Sequence, residues 1–92
     1  MATVVFSNRA RRSLLEILGY IARDNPHAAL GLIIDLEKRV VETLSAFPEA
    51  GMKWQDGRRV LVVRRYSVGY RFDAAKGVVV VMVVFSPGMD WR

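Results

Sequence analysis

Hydrophobic residues keep one period in the first half of this chain and another in the second. Ala10, Leu14, Ile17, Leu18 and Ile21 recur at helical spacing, with Arg11, Arg12, Glu16 and Arg23 on the other side, which predicts an amphipathic helix. Ser7 offers the side-chain acceptor that such a helix needs at its N-cap, and Thr3-Val4-Val5-Phe6 before it reads as a short strand. Asp24-Asn25-Pro26 closes this helix and opens another, because Asn25 can cap and Pro26 suits a first helical position that needs no amide donor. The second apolar stripe runs through Ala29, Ile33, Leu36, Val40, Leu44 and Phe47, and Pro48 and Gly51 mark its end. So short a connection between amphipathic helices predicts an antiparallel hairpin.

Beyond Gly51 the period falls to that of strands. Lys53 to Gly57 reads as a polar loop interrupted by Trp54, and Arg59-Val60-Leu61-Val62-Val63 as a strand. Tyr66, Val68, Tyr70 and Phe72 then alternate with Ser67, Gly69, Arg71 and Asp73, the pattern of a strand with one buried face. Ala74 to Gly77 makes a tight turn into Val78–Phe85, which is apolar on both faces, and Arg64-Arg65 is short enough to close a meander. The expected fold is α+β: a short N-terminal strand, an antiparallel helical hairpin and a three-stranded antiparallel meander, in one mostly antiparallel sheet and one domain, residues 1–92. A helical hairpin covers only one face of such a sheet. Either the tail and long arginine stems cap the other face of the last strand, or a second chain does.

The charge balance is uneven. A net charge of +5 arises entirely after Met52, where Lys53, Arg58, Arg59, Arg64, Arg65, Arg71, Lys76 and Arg92 face only Asp56, Asp73 and Asp90. That field attracts nucleic acid or an acidic protein. The absence of cysteine excludes disulfides and thiolate metal sites. No phosphate loop, zinc spacing or Ser/His/Asp arrangement is present, so neither metal nor cofactor is expected. The start lacks the regions of a signal peptide, and the longest apolar run falls far short of the roughly 20 residues that span a bilayer, which predicts a cytoplasmic protein without membrane association.

The stretch from Leu14 to Ala29, the helix end Leu44-Ser45-Ala46-Phe47-Pro48-Glu49-Ala50-Gly51, and Arg59-Val60-Leu61-Val62-Val63 leading into Tyr66-Ser67-Val68-Gly69-Tyr70-Arg71-Phe72 together resemble the RelE/ParE toxins of bacterial type II toxin–antitoxin systems. The resemblance covers nearly the whole chain, in order, and lies in the ensemble of segments. It implies a toxin whose partner is a cognate antitoxin with an acidic, partly disordered tail. It also implies one of two targets. ParE-like members poison DNA gyrase without covalent chemistry, whereas RelE-like members cleave messenger RNA on the ribosome.

Cleaving RNA through its 2′-hydroxyl requires a base, an acid and cations on the developing charge. His27, the sole histidine, sits at the start of the second helix, where a solvated surface role is the default. Arg71 matches the family's arginine on the third strand and is the one candidate catalytic group of a nuclease, but arginine cannot act as a base. The family's further cationic position falls near Phe85-Ser86-Pro87-Gly88-Met89-Asp90, which holds no lysine, arginine or tyrosine. The C-terminal Gly88-Met89-Asp90-Trp91-Arg92 resembles the ParE-like branch, with tryptophan and arginine of the kind enriched at interface hot spots. The reading is therefore a ParE-like gyrase inhibitor, with the ribosome-dependent endoribonuclease as alternative. Its target-binding residues are expected to be Arg58, Arg59, Arg64, Arg65, Arg71, Asp90, Trp91 and Arg92. Trp54, Val79, Val81, Val83 and Phe85 are expected to meet the antitoxin, although Trp54 and Trp91 could instead serve as lids. The hairpin half is charge-balanced and lacks the glycine-containing turn of a helix-turn-helix, so sequence-specific DNA binding by this chain alone is not expected.

Overall fold

The computed structural model describes residues 1–88. Strand β1 (Thr3–Phe6) leads into helix α1 (Asn8–Ala22) and helix α2 (Pro26–Ala46), followed by β2 (Met52–Lys53), β3 (Arg58–Val63), β4 (Tyr66–Asp73) and β5 (Val78–Phe85). Both expected caps form. The Ser7 hydroxyl accepts from the Ala10 amide at 3.1 Å and donates to the Met82 carbonyl at 3.1 Å, so one side chain starts α1 and ties it to β5. Asn25 Oδ1 accepts from the Ala28 amide at 3.0 Å, with Pro26 opening α2.

The five strands lie in the order β1-β5-β4-β3-β2. All neighbours are antiparallel except β1 and β5, which run parallel. The two-residue strand β2 was absent from the expected set: Met52 pairs with Val60 and Lys53 with Arg59, at the start of what reads in sequence as a loop. The β3–β4 hairpin closes through Arg64 and Arg65 at φ 50° and 73°, the left-handed pair that a two-residue turn requires. Neither residue relieves that strain as glycine would.

The helices cover one face of the sheet. Ala10, Leu14 and Ile17 of α1 and Leu36, Val40 and Leu44 of α2 pack on Tyr66, Val68, Tyr70, Val79, Val81 and Val84, all buried. A Leu36→Ala change at such a site would cost about 2–5 kcal/mol. Phe47, the last residue of the expected α2 stripe, lies beyond the helix end and is 69% exposed.

The register of β5 explains which valines face which way. Tyr70 pairs with Val81, but Gly69 pairs with Val83, so Met82 is an extra residue that shifts the alternation of β5 by one. Before the bulge Val79 and Val81 point into the core; after it Val84 does, and Val83 and Phe85 turn to the outer face. This corrects the grouping of Val79, Val81, Val83 and Phe85 on a single partner-facing surface. Val79 and Val81 are fully buried beneath the helices and present nothing to a second chain.

Candidate functional site

The outer face of the sheet carries the concentrated chemistry. Strand pairing places Arg58, Arg71, Val80 and Val5 in one row across β3, β4, β5 and β1. The neighbouring row is Val60, Gly69 and Val83. Glycine at position 69 leaves a seat: a Cβ there would lie 3.1 Å from Val83 Cγ1 and 3.6 Å from Trp54 Cζ3. The Trp54 indole occupies that space, and Val60 and Val83 beside it are only 2% and 7% exposed on a face that no helix covers.

The segment after Trp54 then aims two arginines. Gln55–Gly57 forms a single 3-10 turn in which Asp56 and Gly57 take left-handed φ values of 58° and 72°. The Trp54 amide donates to the Arg58 carbonyl at 2.8 Å, closing the loop. Arg58 lays its guanidinium over the indole, 5.3 Å from the ring centroid, a cation–π contact worth on the order of 0.5–1 kcal/mol at a partly exposed site. Arg58 Nη2 donates to Asp56 Oδ2 at 3.5 Å, while Arg58 Nε is buried without a hydrogen-bond partner among the described residues. Arg71 Nη2 donates to the Asp56 backbone carbonyl at 3.2 Å. One acidic residue thus holds both guanidiniums, one through its carboxylate and one through its main chain, and the cluster remains net positive.

The other arginines of the expected basic rim lie apart from this cluster. Arg59 pairs with Tyr70 across β3–β4, away from the Arg58–Arg71 row. Its Nη1 donates to the carbonyls of Gly51 at 2.8 Å and Glu49 at 3.2 Å, and its Nη2 meets Glu49 Oε2 at 3.3 Å. Arg59 thereby fastens the α2–β2 loop onto the sheet. Tyr70 completes that fastening, its buried hydroxyl accepting from the Gly51 amide at 2.8 Å. Burial pushes the Tyr70 hydroxyl pKa up, opposed by that hydrogen bond and by Arg59.

Arg64 and Arg65 form the hairpin tip, about 20 Å along the strands from the Arg58–Arg71 row at six residue steps. Arg64 Nη1 meets Asp35 Oδ2 at 3.0 Å, and the same oxygen takes Arg39 Nε at 2.8 Å. The Arg39 hydrogen bond, with a further contribution from Arg64, holds the Asp35 carboxyl below its ordinary range. Arg65 is exposed and makes no ion pair among the described residues. His27 is exposed in the first turn of α2. Asp90, Trp91 and Arg92 lie outside the described residues. Among the described residues there is no group of acidic, histidine or cysteine side chains that could hold a metal ion. A groove of about 620 Å³ runs between α1 and the end of β5, lined by Arg9, Arg12, Tyr20 and Phe85 among others.

The sequence reading missed Asp56 and Gly69. Both carried a signal: Asp-Gly is a turn dipeptide with positive φ, and a lone glycine inside an alternating strand marks a close approach.

The family model for the ParE toxin of type II toxin–antitoxin systems, parDE, matches residues 4–91. The chain belongs to the ParE toxin family. Among curated proteins none matches it significantly in sequence. The toxin is similar in fold to a chain of the chromosomal ParDE system from P. aeruginosa, with a TM-score of 0.77 at 20% identity, over 95% of this chain and 97% of that one. It is also similar to a chain of the RelBE2 toxin–antitoxin complex from Mycobacterium tuberculosis, at TM-score 0.67 and 22% identity over 92% and 96% of the two chains. The isolated E. coli RelE toxin matches with TM-score 0.63 at 20% identity, over 99% of this chain and 89% of that chain. At these identities the likeness is one of fold, and it spans both branches of the superfamily. Function must be argued from the site.

Proposed function

We propose that the toxin arrests bacterial growth by binding DNA gyrase in the cytoplasm as a single domain, and that a cognate antitoxin with an acidic, partly disordered tail neutralises it. The observation that supports protein binding over RNA cleavage is the chemistry of the outer sheet face. It offers two guanidiniums, an indole and valines, but no imidazole, lysine or free phenol among the described residues. Tyr66 and Tyr70 face the helices, and His27 is exposed on the hairpin. General acid–base cleavage needs a group that takes a proton near neutral pH, and an arginine does not. A surface of buried-edge aromatic, arginine and aliphatic residues is instead the composition of a binding hot spot. Arg58 and Arg71 are assigned to the target surface, together with Asp90, Trp91 and Arg92 of the tail. Phe85, on the outer face at the end of β5, is assigned with Trp54 and Val83 to the antitoxin side.

The test is to induce the chain alone in bacterial cells and follow amino-acid incorporation beside chromosome breakage. Purified gyrase is assayed in parallel for trapped DNA cleavage. Continued translation, broken DNA and trapped gyrase are the expected results. A collapse of translation within minutes, with gyrase unaffected, would overturn this reading in favour of a ribosome-dependent endoribonuclease.

A further inference from the structure

Arg58 and Arg71 stand directly opposite each other on paired strands, where like charges repel. A carboxylate of Asp56 at 3.5 Å from one of them offsets this only in part. Arg58 bonds Asp56 only through Nη2, and the bond of Arg71 likewise engages only its Nη2. Each guanidinium thus keeps donors in the planar fork that fits an oxyanion. The Asp56 tether and the Trp54 face fix both groups before any ligand arrives, so little side-chain entropy remains to be lost on binding.

The surroundings select among oxyanions. The row that begins Arg58–Arg71 continues as Val80–Val5, so half of a span of about 14 Å is cationic and half aliphatic. Val5 is 42% exposed, and the next row outward offers Asp73, Val78 and Thr3. Among the described residues the strand pairing brings no third cation to this face. A phosphodiester backbone needs a track of cations to release its counterions, and valines offer it nothing. An acidic side chain carried among apolar ones matches both halves of the row.

We propose that Arg58 and Arg71 clamp a single Asp or Glu side chain of a protein partner, whose neighbouring apolar residues pack on Trp54, Val80 and Val5. The proposal rests on the reading of this face as a protein-binding surface. It does not require that the partner be gyrase.

The full-length chain, labelled with 15N arginine, gives one Nε–H resonance for each arginine side chain. Titration with acetate, 3-phenylpropionate and dimethyl phosphate compares a bare carboxylate, a carboxylate with an apolar neighbour and a phosphodiester. The expected result is a saturable shift of Arg58 and Arg71 with both carboxylates, about tenfold tighter for 3-phenylpropionate because its ring is buried. Arg71→Ala should abolish the shift of Arg58, and Arg71→Lys, which keeps the charge but not the fork, should weaken binding several-fold. Dimethyl phosphate binding as tightly as 3-phenylpropionate would overturn the proposal, as would equal shifts at Arg9, Arg12 and Arg65. The gyrase assay fails independently of this one: a clamp that binds carboxylates in a toxin that halts translation sinks only the gyrase reading.

Discussion

Tyr70→Phe isolates the fastening of the α2–β2 loop. The side chain is fully buried, and its hydroxyl is the acceptor for the buried Gly51 amide at 2.8 Å. Phenylalanine fills the same ring volume, so the change removes one oxygen and leaves Gly51 N–H without its acceptor. Stranding a buried donor costs about 1–3 kcal/mol, more than the net worth of the bond itself. Water has little room to substitute: a Cβ built on Gly51 would already lie 2.8 Å from Tyr70 Cε1 and 2.8 Å from the Val60 carbonyl oxygen. For a domain of this size each kcal/mol lowers the melting temperature by about 4–8 °C, so a loss near 2 kcal/mol predicts a fall of about 8–16 °C. Circular dichroism during heating measures the fall. Hydrogen exchange at the Gly51 amide reports the local cause, with protection reduced in Tyr70→Phe beyond what global stability explains. A fall of less than about 2 °C with Gly51 still protected would refute the reasoning, because it would mean the amide has another acceptor.

Further tests address other parts of the molecule. Because burial raises the Tyr70 pKa, the neutral phenol contributes stability that is complete below its unfolded value of about 10 and is lost as pH rises through the folded value. Wild type should therefore lose stability across that alkaline window faster than Tyr70→Phe in parallel denaturant titrations. Replacing Arg64-Arg65 by Asn-Gly relieves two left-handed residues and should raise stability by about 1 kcal/mol, with loss of the exposed Asp35 contact offsetting part of it; a lower midpoint in urea would count against the strain. Gly69→Val, made in a Trp91→Phe background, should unseat Trp54, shifting its fluorescence to the red and costing about 1–3 kcal/mol; an unchanged spectrum would show that the indole does not need the seat. Deleting Asp90-Trp91-Arg92 should weaken growth arrest while antitoxin binding survives, and full toxicity after the deletion would remove the tail from the target surface.

Much of the fold was legible because its signals are local. Ser7 and Asn25-Pro26 are helix starts by their own chemistry, and the alternation from Tyr66 to Phe72 displays one buried face. What stayed hidden depends on partners distant in sequence. Met52–Lys53 is a strand only because Arg59 and Val60 lie beside it. The bulge at Met82 left no trace in a run where every residue is apolar, since alternation cannot be seen to slip when both phases look alike. Arg58 and Arg59 are indistinguishable as letters. Strand pairing alone sends one over an indole and the other into a loop of backbone carbonyls.

The parallel pairing of β1 with β5 has a bearing on how the toxin comes into being. Ser7 and Met82, joined by a hydrogen bond, are 75 residues apart, and β5 lies between β1 and β4 in the sheet. The first strand to leave the ribosome must therefore wait for the last before it has a neighbour. Until then the nascent chain is a helical hairpin and a meander without the strand that joins them. Domains of high contact order complete their slowest pairing late. The five-stranded sheet is therefore complete only once β5 has been made and has inserted between β1 and β4.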